Sequence, residues 1–121
     1  MKNGIHEGKL FSWTNSTGSD VASGDIVPIG GILAVATVDI ANGSTGTVQV
    51  GYAIRAPKVS AAVIAQGESM TWDISAGAFD DNQATPAAGD ITGPAAFAMS
   101  AAGNGETIVR VVLTGSPGTI N

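Results

Sequence analysis

The chain has 121 residues, 12% of them charged, 5% aromatic and 44% hydrophobic, with 17 glycines and a formal net charge of −5. That length fits one domain, and the five Lys and Arg residues form no run, which argues against a phosphate-neutralising nucleic-acid surface. The absence of cysteine excludes disulfides, thiolate catalysis and cysteine-based zinc sites.

With so few aromatics and so much glycine and alanine, the core must be built from small residues. Burying alanine contributes much less than burying valine or isoleucine, so an isolated subunit is expected to be marginal and association between subunits is the expected remedy. A surface of Ser, Thr, Asn, Gly and Ala also loses water at little cost, which suits protein–protein contact. The start, Met1-Lys2-Asn3-Gly4-Ile5-His6-Glu7, lacks the apolar region of a signal peptide. Ile26 to Val38 is too short to span a bilayer and contains Pro28, Gly30 and Gly31. The expectation is a chain made in the cytoplasm with no membrane partner.

The first residues read as an arm, followed by a short strand near Lys9–Trp13 and a polar loop to Asp20. Asp25–Ile29 and Ile32–Asp39 read as strands parted by Gly30-Gly31. Asn42-Gly43-Ser44-Thr45-Gly46 is a turn, because Asn and Gly tolerate positive φ. Thr47–Ile54 alternates as one strand with Val48, Val50, Tyr52 and Ile54 on a common face, and Arg55-Ala56-Pro57-Lys58 breaks it. Val59–Ala65 reads equally as a strand or a helical turn. Ser69–Ile74 is a strand with Met70, Trp72 and Ile74 on one face; Asp80–Gly93 is a long loop. Ala95–Ser100 is a strand with Phe97 and Met99 on one face. Thr107–Leu113 is the clearest buried strand, and Gly115–Asn121 is a loose tail. The fold class is therefore all-β: a small antiparallel barrel- or sandwich-like domain over residues 21–114, preceded by an arm and first strand (1–20) and followed by a flexible tail (115–121).

One short pattern recurs. A glycine followed by an acidic residue opens a strand at Gly24-Asp25, Gly67-Glu68 and Gly105-Glu106. The physical reading is a tight turn in which glycine supplies the unusual φ and the carboxylate accepts bonds from turn amides. A metal cluster fits these spacings poorly, and no cofactor is expected.

Catalytic signals are lacking. His6 is the single histidine and stands in the arm, where no rigid base is expected. No nucleophile elbow or phosphate-binding loop occurs. Asp80-Asp81 is the only adjacent acidic couple, and neighbouring residues on a strand point to opposite faces. The expectation is a protein that is not an enzyme. Asn15-Ser16-Thr17 and Asn42-Gly43-Ser44 match the glycosylation sequon by chance composition. Trp72 is expected in the core, and Trp13, beside polar residues, on the surface as an anchor.

A series of segments then suggests a family. Ser23-Gly24-Asp25-Ile26-Val27-Pro28-Ile29-Gly30 is followed by Leu33-Ala34-Val35-Ala36 and Asp39-Ile40-Ala41-Asn42-Gly43. Gly46-Thr47-Val48, Gly51-Tyr52, Ala56-Pro57-Lys58, Ile64-Ala65-Gln66-Gly67-Glu68 and Met70-Thr71-Trp72-Asp73 come next, and Val109-Arg110-Val111-Val112-Leu113 closes the set. Over roughly residues 5 to 113, this order and spacing resemble the capsid cement (head decoration) proteins of tailed bacteriophages. The loop 80–93 and the Gly-Ser-Pro-Gly tail depart from the family's usual pattern. The resemblance implies a β-barrel-like domain that assembles as a homotrimer. It would bind the major capsid protein on the outer surface of the expanded head, at three-fold and quasi-three-fold sites, with no catalytic residues. The residues expected at a capsid or subunit interface are Ile5, His6, Phe11 and Trp13 in the N-terminal segment, and Arg55 and Lys58 around Pro57. The competing readings are a tail- or fibre-associated β domain, a carbohydrate-binding module using Trp13 and Trp72, and a small hydrolase.

Overall fold

The computed structural model describes residues 9–121, and every regular element in it is a β-strand. The first sheet contains β1 (Leu10–Thr14), β2 (Ile26–Ile29), β3 (Ile32–Ala36) and β4 (Thr45–Gln49) in the order β1-β4-β3-β2. The second contains β5 (Tyr52–Pro57), β9 (Ala96–Ala98) and β10 (Ile108–Leu113) in the order β5-β10-β9. The third contains β6 (Thr71–Asp73), β7 (Ala78–Asp80), β8 (Ile91–Thr92) and β11 (Thr119–Ile120) in the order β11-β8-β6-β7. All strand pairs are antiparallel. Isolated bridges Lys58↔Phe79 and Ser69↔Phe97 tie the second sheet to the third. The all-β expectation thus holds.

Two apolar clusters hold the sheets together. The larger gathers Leu33, Trp72, Phe79, Ile91, Val111 and Leu113 from all three sheets. The smaller lies on one side of the first sheet around Val27, Ile40, Val48 and Val50. β3 supplies both: Leu33 and Val35 enter the larger cluster, Ala34 and Ala36 the smaller. Its sequence shows no polar alternation because successive side chains point to opposite faces and both faces are covered. Nine of the 23 buried apolar residues are alanine, so the core is built from small side chains as composition requires. The largest local contribution comes from Trp72 and Phe79, cross-strand partners whose rings meet edge to face at 5.0 Å.

Several local expectations fail. Residues 47–54 are not one strand. The chain turns at Gly51, with φ 66°, and β4 and β5 belong to different sheets. Alternation continues in the sequence, yet Val48 and Val50 are buried while Tyr52 is 48% exposed. Arg55-Ala56-Pro57 does not break a strand but completes β5, and Pro57 is tolerated because β5 is an edge strand. Residues 59–65 are turns closed by Ala62 N–H on Val59 O, with Ile64 bridging Ala102, and form neither a strand nor a helix. Ile74 does not join Met70 and Trp72 in the core but is exposed. The long loop shortens to 81–90, since its ends belong to β7 and β8.

The tail is also built in. Gly118 N–H donates to Gly31 O at 2.9 Å, β11 pairs with β8, and Asn121 N–H donates to Asp90 O. A side chain at Gly118 would lie 2.4 Å from Thr92 O, so the glycine permits a close backbone crossing.

Candidate docking surface

The structure separates the residues nominated from sequence. Ile5 and His6 lie outside the described residues. Phe11 and Trp13, expected as surface anchors, are half-buried on β1 and pack against the smaller core cluster. Their ordinary role is to close the domain's own first sheet. Lys58, expected at a capsid or subunit interface, is 4% exposed. Its ammonium donates to Val59 O at 2.8 Å, Ser60 O at 3.3 Å and Ala62 O at 2.5 Å. Those carbonyls replace the water the cation has lost, so Lys58 braces the turns after β5 and offers no charge to a partner. Arg55 alone among the described candidates is exposed.

The acidic side chains are engaged internally. The chain has ten Asp and Glu residues, and Glu7 lies outside the described ones; all nine others accept a backbone N–H. Four do so in one repeated device. Asp25, Glu68, Asp90 and Glu106 each follow a glycine with φ between 80° and 92°. Each donates its own N–H to the carbonyl three residues back at 3.0–3.2 Å. Each carboxylate then accepts that same residue's N–H at 2.7–3.1 Å. This is a type II turn with the carboxylate folded back on its first residue. Gly89-Asp90 is a fourth copy that sequence reading passed over because it lies in the polar loop.

The other five carboxylates also hold turns. Asp20 accepts from Asn42, Asp39 from Ser23 and Asp81 from Val63. Asp73 accepts from Ser75 and Ala76, and Asp80 from Asp81. The Ser75 hydroxyl and Ala76 N–H hold the Asp73 carboxyl below the usual carboxylate range. Partial burial, with the Asp81 charge beside it, pushes Asp80 up. Among the described residues no three His, Cys, Asp or Glu side chains gather to hold a metal. Asn15, the first sequon residue, is fully buried; its amide donates to Ser19 O and Ile40 O.

The outer face of the second sheet has a different character. β10 buries Val109, Val111 and Leu113 and turns Ile108 and Arg110 outward. Register places Arg110 directly opposite Arg55, and Ile108 opposite Pro57. On the other side of β10, Phe97 pairs with Val112, and Met99 N–H donates to Arg110 O. Ile108, Phe97 and Met99 are 53%, 38% and 42% exposed. Phe97 and Met99, expected on one face, are both exposed, while Ala96 and Ala98 face inward. An open depression of about 650 Å³ lined by Arg55, Glu106, Ile108 and Arg110 lies on this face, and a second of about 210 Å³ shares both arginines. Two guanidinium groups stand amid apolar side chains, a composition typical of protein interface cores. The available signal in the sequence was Arg110 inside an otherwise apolar strand.

No curated protein matches the chain. A family model of phage cement proteins matches residues 5–113, which contain β1 through β10 and both faces of the second sheet. The chain therefore belongs to the phage cement protein family, whose members are proteins of the phage capsid.

Proposed function

We propose that this protein decorates the outer surface of the expanded phage head as a homotrimer. It binds the major capsid protein at three-fold and quasi-three-fold sites and reinforces the shell against the outward pressure of packaged DNA. It performs no catalysis and takes no cofactor. The observation that carries the reading is the family match over nearly the whole domain. Composition supports the trimer, since a core in which alanine is the commonest buried apolar residue gains from further burial between subunits. Bridging several capsomer seams at once raises avidity by orders of magnitude over each contact alone. The carbohydrate-binding reading loses support: Trp72 is 5% exposed and Trp13 is packed on its own core, so neither offers a flat sugar platform.

Two measurements test the proposal. Light scattering of the purified protein should give three times the 11.9 kDa chain mass, and a monomer would reject the trimer. Co-sedimentation should show saturable binding to expanded heads and little to unexpanded ones. Equal or absent binding to both would reject the decoration role.

A further inference from the structure

We propose that the outer face of the second sheet, centred on the opposed pair Arg55 and Arg110, is the surface that docks on the shell, and that its complement there is a carboxylate-bearing, apolar-rimmed protein patch. The inference rests on the decoration role and names the face and the partner chemistry for it.

Register puts the two arginines directly across from each other on β5 and β10. Like charges at opposed positions oppose strand pairing unless an anion bridges them. The face around them holds Pro57, Ile108, Phe97 and Met99, and no acidic residue occurs in β5, β9 or β10. Glu106, at the margin of the depression, is folded back on Gly103 N–H at 2.8 Å. A carboxylate from outside would neutralise the pair and accept forked N–H donors, the geometry to which guanidinium groups are suited. The apolar flanks would exclude water and strengthen the contact.

A second copy of this chain is the poorer occupant. Its nine described carboxylates are each already engaged by a backbone amide of their own turns. The shell is therefore the source of the complementary acid.

The test uses the full chain and purified expanded heads. Arg110→Glu places a carboxylate opposite Arg55. It should leave the thermal midpoint unchanged or raise it, because a repulsive pair becomes an attractive one, while weakening head binding by about tenfold or more. A residue with only a structural role would move both readouts together. Arg55→Lys with Arg110→Lys should keep part of the affinity, and binding of the parent should weaken as salt rises. If Arg110→Glu binds heads like the parent, the docking face is wrong. If it instead changes the mass by light scattering, the occupant is a second copy and the proposal falls. Should Arg110→Glu misfold, Arg55→Glu read by the same two measurements decides. Failure of the parent itself to bind heads rejects the decoration role and this inference with it; failure confined to the variants' predicted loss rejects the inference alone.

Discussion

In the first sheet, β3 sends Leu33 and Val35 into one cluster and Ala34 and Ala36 into the other, and neither face meets water. In the second sheet, β10 buries Val109, Val111 and Leu113 and leaves Ile108 and Arg110 outside. Both strands are rich in branched apolar residues. The difference lies in what covers them. Loops 15–24 and 37–44, pinned by the buried Asn15, accompany the smaller cluster on the first sheet, whereas nothing among the described residues covers the outer face of the second. An apolar side chain therefore marks either a core or a docking surface according to its non-local neighbours.

The comparison predicts a large asymmetry. Leu33→Ala should destabilise the domain by about 2–5 kcal/mol, because a fully buried side chain leaves a cavity between sheets. Ile108→Ala, on the open face, should change stability by less than about 0.5 kcal/mol. Urea unfolding of both variants checks this, and similar losses would mean the outer face is covered in the native protein.

Gly118→Ala sharpens the same contrast at the seam where the tail crosses β8. The added methyl meets Thr92 O and Ile91, so a loss of about 1–3 kcal/mol is expected by the same titration. An unchanged midpoint would show that the tail is not held there. Removing residues 1–14, by comparison, would delete β1 with Phe11 and Trp13 and so disturb the first sheet itself. A truncation of residues 1–8 is the cleaner probe of the arm.

The smallest effects concern carboxylates that belong to neither strand core. Asp73 has a lowered folded pKa, so its contribution is present above the ordinary carboxylate value of 3.8 and is lost as pH falls through the folded value. Asp73→Asn should therefore flatten the acid limb of the stability curve below that pH. Asp80 has the opposite sign. Its raised folded pKa makes the ionised form a burden as pH rises above 3.8, so Asp80→Asn should be more stable than the parent at neutral pH. Thermal midpoints across pH measure both, and slopes of the reverse sign would show that these carboxyls are not held as described.

Much of the fold was legible because its signals are local. The Gly-acid turns were read correctly at Asp25, Glu68 and Glu106, since every bond in the device lies within four residues. The fourth copy at Asp90 was missed only because a polar loop surrounded it. Trp72 was placed in the core by the pattern of its strand. By contrast, continuous alternation from Val48 to Ile54 concealed a change of sheet at Gly51, because periodicity reports facing and not partners. For Phe97 and Met99 the alternation signalled a shared face but not which way it turns; in the fold both are exposed, and Ala96 and Ala98 face inward. Lys58 was read as an interface cation because nothing in its neighbours signals that three carbonyls converge on it.

The amino-acid sequence alone determined the all-β class, the turns and the resemblance to a family, since these rest on residue type and spacing along the chain. Tertiary structure decided which face of each strand is covered, how the charges are distributed, and that Arg55 and Arg110 meet across two strands far apart in sequence. Burial and charge pairing depend on what packs opposite a residue, and in a sheet protein that neighbour comes from distant positions in the chain.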